Sequence, residues 1–235
     1  MIKLAPVVRE LGGAPWAAPE LVLTGQHSEM MQPLLQHFGI TNQQLLPIQR
    51  KRGTLSELIG EVSRGLDHLI ATTMPDGIVV QGDTTSAMSA AICGYSDRVP
   101  VFHVEAGLRS FDLEQPFPEE FNRRVISLAA TLHFAPTDVA QAHLLREGIP
   151  ASRCHVVGNT VIDALLWTVG KSGKESSKFR PESFRILATC HRRESWDSGL
   201  DDVCRALAKI SERFKDAHIL FPVHPNPRVR STVEK

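Results

Sequence analysis

The sequence VFHVEAGLRS, residues 101–110, decides how the fold and the candidate site are arranged. Its first half is typical of a buried strand, because apolar and aromatic residues follow Pro100 and only His103 interrupts them. Glu105 then falls where the strand ends, and Gly107 allows a tight backbone turn beside it. The stretch therefore predicts a carboxylate at the C-terminal end of a strand.

The sequence PFPEEFNRR, residues 116–124, predicts a helix that begins shortly after this strand. Proline is well tolerated in the first turn of a helix, where its missing N–H has no intrahelical partner to lose. Glu119 and Arg123 stand four residues apart and share a helical face, whereas Glu120 points about 100° away. Ligands of open α/β sheets bind outside the C-terminal ends of the strands. We therefore expect Glu105, Glu119 and Arg123 to converge on one site.

Strand and helix patterns alternate along the rest of the chain, which predicts an α/β fold. A polar loop, GDTT at residues 82–85, follows a buried strand and leads into a helix rich in Ala and Ser. Asp83 or Thr84 acting as a plain N-cap is the structural alternative to a functional role for this loop. The stretch from about residue 170 is rich in Gly, Ser and Lys and is typical of an exposed linker. The patterns predict two doubly wound domains, over residues 1–169 and 185–235, joined by a linker over 170–184, with the second domain incomplete.

Composition narrows the class of protein. The 235 residues include 26 basic and 26 acidic side chains, so the formal net charge of zero gives no electrostatic case for nucleic acid or a membrane surface. No apolar run approaches the roughly 20 residues of a membrane span. The four cysteines are widely spaced, which favours reduced, buried thiols in a cytoplasmic protein.

Several familiar site motifs are missing from the sequence. The metal motif H-E-x-x-H, paired cysteines and D-x-D are not found, and neither is the G-x-G-x-x-G signature of a nicotinamide site. We therefore expect no metal and no cofactor. What remains is a set of carboxylates and cations at strand ends and helix starts.

These stretches together resemble the HVEAGLR and P-x-PEE-x-NR motifs of the non-hydrolysing UDP-N-acetylglucosamine 2-epimerases, and GDTT at residues 82–85 is similar to a further motif of that family. The resemblance covers nearly the whole chain and implies a GT-B-like fold of two Rossmann-like domains, the second incomplete. The family's first strand with its G-T-R-P-E loop, and a later D-S-G-G-x-x-E-E segment, have no counterpart here. We therefore expect a chain shortened at both ends, and a fragment that is inactive alone.

The resemblance also implies roles for individual residues. It places Asp83, Glu105 and Glu119 in an acid/base set, with Arg123 positioning them and His191 facing the diphosphate. It implies substrate contacts for Lys3, Arg109, Arg192 and Glu194. Family motifs further imply a second, regulatory UDP-N-acetylglucosamine site bordered by Arg192 and by four other side chains, Gln26, His27, Glu120 and His224. Capping of a helix by Gln26 and His27 is the alternative there.

The reaction implied is the interconversion of UDP-N-acetylglucosamine and UDP-N-acetylmannosamine, feeding cell-surface polysaccharide synthesis. UDP leaves C1 as the C2 proton is removed, and it adds back with protonation from the opposite face. Such chemistry needs a base, an acid and cations that hold the departing diphosphate, and the residues leave open which carboxylate is which. A homodimer is implied as well. A glycosyltransferase of the same architecture and a nucleotide-sugar-binding fragment without turnover are the alternatives.

Overall fold

The computed structural model describes residues 1–25, 28–171, 184–190, 198–223 and 227–233. The chain divides into two compact units, Met1–Lys171 and Ser172–Lys235. The first unit contains the predicted carboxylate site. Nearly all of the predicted linker lies outside the described residues, and its first two positions, Gly170 and Lys171, are the end of a helix.

The first unit is built on parallel strands. In chain order these are β1 (Leu21–Leu23), β2 (Gln43–Leu45), β3 (Ile78–Gln81), β4 (Val101–Val104), β5 (Leu132–Ala135) and β6 (Cys154–Val156). β1 and β2 form one parallel pair, and the other four form a sheet in the order β3-β4-β5-β6. Because every pair is parallel, the C-terminal ends of β3 and β4 lie side by side at one edge.

Helices alternate with these strands. They are α1 (Ala5–Gly13), α2 (Ser28–Phe38), α3 (Leu55–Thr73), α4 (Thr85–Ser96), α5 (Glu119–Ala129), α6 (Asp138–Arg146) and α7 (Thr160–Lys171), with a short 3-10 turn at Ala151–Arg153. The second unit repeats the pattern with β7 (Arg185–Leu187), α8 (Ser198–Arg213), β8 (His218–Leu220) and α9 (Pro227–Val233), and its two strands are parallel. The predicted α/β class with parallel strands is confirmed.

Apolar side chains from strands and helices pack together in the core that supports the site. Val80 of β3 and Val101 of β4 pack with Met88 and Ala91 of α4 and Ile126 of α5. Fully burying an aliphatic side chain of this size stabilises a fold by about 1.5–3 kcal/mol. This packing fixes α4 and α5 against the two strands whose ends bear the predicted carboxylates.

Three local expectations need correction. β2 was not predicted, because Gln43 and Gln44 give no apolar signal and the strand exists through its pairing with β1. Pro118 is the N-cap of α5 rather than a first-turn residue. Thr54 and Glu57 have the three-residue spacing that predicts a capping box, and Thr54 does cap α3 by accepting from the Glu57 N–H. The Glu57 carboxylate, however, accepts from three backbone N–H groups of residues 51–53 instead of completing a capping box.

Candidate active site

The site is built where β3 and β4 end. Gln81 pairs with Val104 at the last register position, and the Gly82 N–H donates to the Val104 carbonyl at 3.0 Å. The two backbone segments therefore leave the sheet side by side. Asp83 follows on one and Glu105 on the other. Parallel pairing thus brings these two predicted residues to neighbouring positions, although they are far apart in sequence.

Glu105 has an unusual backbone conformation. Its φ of 65° lies in the left-handed region, which is uncommon for a residue with a side chain and is concentrated at functional sites. The next turn is tight because Gly107, with φ 84°, packs against α6. A Cβ at that position would lie 2.1 Å from the Ala140 carbonyl oxygen. Only glycine fits there, so the helix defines the path of the chain after Glu105.

The Glu105 carboxylate is held by two donors. The Lys3 ammonium donates to Oε1, and the Gln81 amide donates to Oε2 at 2.6 Å. Lys3 is brought in by the start of α7, where the Thr160 hydroxyl donates to the Lys3 carbonyl at 2.6 Å. Lys3 was expected to contact substrate, and in this structure its partly exposed ammonium lies on a carboxylate of the site.

Asp83 and Arg123 form the second half of the site. Arg123 of α5 donates to Asp83 Oδ2 at 2.6 Å. Burial raises the pKa of Asp83 above its ordinary value, against the opposing charge and hydrogen bond of Arg123. The negative charges of Glu119 and Glu105 raise that pKa further. Three carboxylates therefore lie close enough to influence one another, with one arginine among them.

The Glu119–Arg123 helix pair is replaced by a different one. Arg123 contacts Glu120 at 3.4 Å, three residues earlier on α5, as well as Asp83. Glu119 is half-buried in the first turn of α5, beside this cluster. Among the ion pairs of the described residues, Arg123 is therefore paired with Asp83 and Glu120 and not with Glu119.

Glu120, which was expected to border a regulatory site, is buried at the start of α5. It is fully buried, and its carboxylate accepts from the N–H groups of Ser110 and Phe111 and from Arg124. Burial acts to raise the pKa of Glu120, but these bonds and the charge of Arg123 lower it below its ordinary value. Glu120 therefore ties the loop after Glu105 to α5.

Arg109, which was expected to contact substrate, lies in a buried ion pair. Its side chain is fully buried and forms a bidentate pair with Glu147, with both N–O distances 2.7 Å. It donates in addition to Ser127 and to the Leu108 carbonyl. The hydrogen bond from Arg109 is the main reason that the pKa of Glu147 lies below its ordinary value. With its donors engaged, Arg109 braces α5 against the end of α6.

The remaining predicted residues lie outside the described part of the chain: His191, Arg192, Glu194, Gln26, His27 and His224. Three residues that the sequence reasoning did not assign contact the site directly, namely Gln81, His103 and Asn122. The signal for His103 was present, since it is the polar residue that interrupts a buried strand. Across the described ranges, no three His, Cys, Asp or Glu side chains are arranged to hold a metal ion.

Carboxylates and an arginine gather at the C-terminal ends of parallel strands, which is where α/β proteins bind their ligands. The sequence model of the UDP-N-acetylglucosamine 2-epimerase family matches residues 9–235, and the chain belongs to this family. UDP-N-acetylglucosamine 2-epimerase of Escherichia coli strain K12 is 40% identical over 244 residues, which span all of this chain and 65% of the relative. The enzyme of that name from Yersinia pestis is 38% identical over the same coverage.

Solved structures agree. The UDP-GlcNAc 2-epimerase from Neisseria meningitidis, bound to UDP-GlcNAc, superposes with a TM-score of 0.91 at 33% identity, covering 99% of this chain and 65% of that one. The Methanocaldococcus jannaschii enzyme in complex with UDP-GlcNAc and UDP gives a TM-score of 0.80 at 31% identity, with the same coverage. The predicted GT-B-like fold class is confirmed. The chain spans about 65% of the length of these relatives.

Proposed function

We propose that the full-length form of this protein interconverts UDP-N-acetylglucosamine and UDP-N-acetylmannosamine without net hydrolysis, as part of cell-surface polysaccharide synthesis. Family membership supports the reaction class, and the relatives solved with UDP-GlcNAc support a UDP-sugar substrate. The single observation that carries the proposal is the cluster of Asp83, Glu105 and Glu119 around Arg123. Because the chain spans about 65% of its relatives, we propose turnover for the full-length form and none for these 235 residues alone.

The geometry suits a reaction that moves a proton on and off carbon. Inverting C2 requires one group that removes the proton on one face of the sugar and another that returns it on the opposite face. Burial raises the pKa of Asp83, which favours the protonated carboxyl and suits this residue to exchange a proton. Glu105, anchored by Lys3 and Gln81, and Glu119 on α5 supply carboxylates from two other directions. We assign these three residues the acid/base work.

Cations serve the other half of the reaction. Expelling UDP leaves negative charge on the diphosphate, which positive side chains stabilise. Lys3 is partly exposed beside Glu105, and Arg123 lies against Asp83. We propose that both lie close to the substrate, with His191, Arg192 and Glu194 contributing from outside the described residues.

Product analysis tests the proposal. The full-length protein is incubated with UDP-N-acetylglucosamine alone, and the nucleotide sugars are separated by ion-pair chromatography. We expect UDP-N-acetylmannosamine to accumulate to a fixed ratio with its precursor, and D83N to abolish it. The matched control is D97N, at the exposed C-cap of α4. A product seen only when a sugar acceptor is added would indicate a glycosyltransferase, and binding without any product would indicate a binding protein.

Two further features of the proposal concern the whole protein. We propose a homodimer, supported by the exposed apolar side chains of Phe121 and Leu128, which lie seven residues apart on one face of α5. A monomeric mass by light scattering at micromolar concentration would contradict it. We also propose a cytoplasmic location, consistent with four free cysteines. Over the stretches the structure describes, every helix is too short or too polar to cross a membrane.

A further inference from the structure

Two buried side chains hold the backbone on either side of Asp83. His103 of β4 places Nε2 2.8 Å from the Gly82 carbonyl oxygen, and the Asn122 amide of α5 donates to the Asp83 carbonyl oxygen at 2.9 Å. His103 is 0% exposed and Asn122 2%. The loop that presents Asp83 is therefore fixed from the sheet on one side and from a helix on the other.

The chemistry of the His103 contact defines its tautomer. A carbonyl oxygen only accepts hydrogen bonds, so Nε2 must carry the proton. Burial lowers the pKa of His103 to about 4, and the imidazole is therefore neutral at physiological pH with one N–H to donate. Nδ1 has no hydrogen-bond partner in the described part of the chain. The single N–H of a buried ring is thus directed at one carbonyl.

Each of these side chains lies close in sequence to a proposed acid/base or arginine residue. His103 lies on β4, two residues before Glu105, which directly follows that strand, and Asn122 is adjacent to Arg123 on α5. Asn122 holds the backbone of Asp83 while Arg123 holds its carboxylate. These bonds set the position of Asp83 relative to Glu105, which follows β4, and to Glu119, which begins α5.

We propose that His103 and Asn122 are positioning residues that hold Asp83 in register with Glu105 and Glu119 without themselves touching substrate. This inference rests on the proposed function, because it assigns Asp83 to the acid/base set. Displacing a reacting group by about 1 Å lowers turnover by up to about 100-fold, so losing either anchor should affect kcat more than KM.

The chain offers a matched control for His103. His133 lies directly opposite it in the β4–β5 register, and it is equally buried. Neither ring nitrogen of His133 has a hydrogen-bond partner among the residues that the structure describes. H133L therefore removes a buried imidazole from the same layer without removing a bond to the Asp83 loop.

The kinetic test compares H103L, H103Q, N122L and H133L in the full-length protein with UDP-N-acetylglucosamine. We expect kcat to fall about 10- to 100-fold in H103L and N122L, with KM within about threefold of the wild type. H103Q retains an N–H donor and should recover most of the lost kcat, and H133L should stay within about threefold of the wild type. Equal losses in H103L and H133L, or no recovery in H103Q, would overturn the proposal.

A second measurement does not depend on turnover or on any variant folding. Long-range proton–nitrogen NMR of the wild-type chain reports the tautomer and charge of each histidine. We expect His103 in the Nε2–H form, without titration between pH 5.5 and 8. A proton on Nδ1, or titration in that range, would overturn the positioning role. If the wild-type enzyme lacks epimerase activity while this tautomer is observed, the proposed function fails and the anchoring of Asp83 stands.

Discussion

Lowering the pH should destabilise the protein through its buried histidines. The pKa of His103 is lowered by burial from 6.5 to about 4, so the folded chain binds fewer protons than the unfolded chain over this range. Burial likewise lowers the pKa of His133 to about 4, and the positive charge of Arg109 acts in the same direction. A group whose folded pKa is depressed in this way contributes stability above about pH 6.5, which is lost as the pH falls towards 4.

The size of the effect follows from the shift at His103. At about 1.4 kcal/mol for each pH unit, lowering the pKa from 6.5 to about 4 corresponds to a maximum of about 3 kcal/mol. Between pH 7.5 and pH 5 the expected loss of unfolding free energy from His103 is about 2 kcal/mol. His133 adds a loss of the same sign. The pKa values of Glu120 and Glu147 lie below their ordinary values, so these two carboxylates affect the unfolding free energy mainly below pH 5.

The comparison that isolates this effect is wild type against H103Q. Glutamine keeps a donor for the Gly82 carbonyl but does not titrate. Urea unfolding followed by circular dichroism at pH 7.5, 6.5 and 5 should show the variant gaining about 2 kcal/mol relative to the wild type as the pH falls. H133L should change in the same direction. Parallel stability curves for wild type and H103Q would refute the reasoning, because they would mean that the His103 ring is not kept neutral by burial.

Three other changes have defined outcomes. In urea unfolding, G107A should lower the unfolding free energy by more than about 3 kcal/mol, since its Cβ would meet a backbone carbonyl of α6. The control G148A has a similar φ but open space around the Cβ, and it should cost only about 1–2 kcal/mol. E119Q should lower kcat about 100-fold or more while Tm stays within about 2 °C, and near-normal turnover would return Glu119 to a surface role. E147Q should destabilise the fold by about 2 kcal/mol because it leaves the buried Arg109 guanidinium without its anion, and unchanged urea unfolding would contradict that bracing role.

Much of the fold was predictable because its signals are local. The buried strand before Glu105 and the helix capped by Thr54 each follow from a few neighbouring residues. β2 was not predictable in this way, since Gln43 becomes part of a strand only through pairing with β1. Local patterns identify elements whose own residues favour them, and pairing supplies the rest.

The candidate site was likewise predictable only in part. The convergence of Glu105, Glu119 and Arg123 was predicted from a strand end followed by a helix start, and the family resemblance added Asp83. The ion-pair partners of charged residues do not follow from the sequence, because they depend on distances across the fold. Arg109 is paired with a glutamate 38 residues away, so its sequence neighbours gave no sign that its donors are engaged. Glu120 was assigned to a regulatory site through family motifs, and its full burial and its bonds to Ser110 and Phe111 could not be read from the sequence.

The most direct test of the proposed reaction follows the C2 proton. Full-length protein is incubated with UDP-N-acetylglucosamine in deuterium oxide, and the C2 position of both nucleotide sugars is observed by proton NMR. If carboxylates remove and return this proton, UDP-N-acetylmannosamine forms with deuterium at C2, and the recovered UDP-N-acetylglucosamine becomes labelled at the same position. Epimerisation that retains the original C2 proton, or release of UDP with no epimer formed, would contradict the account.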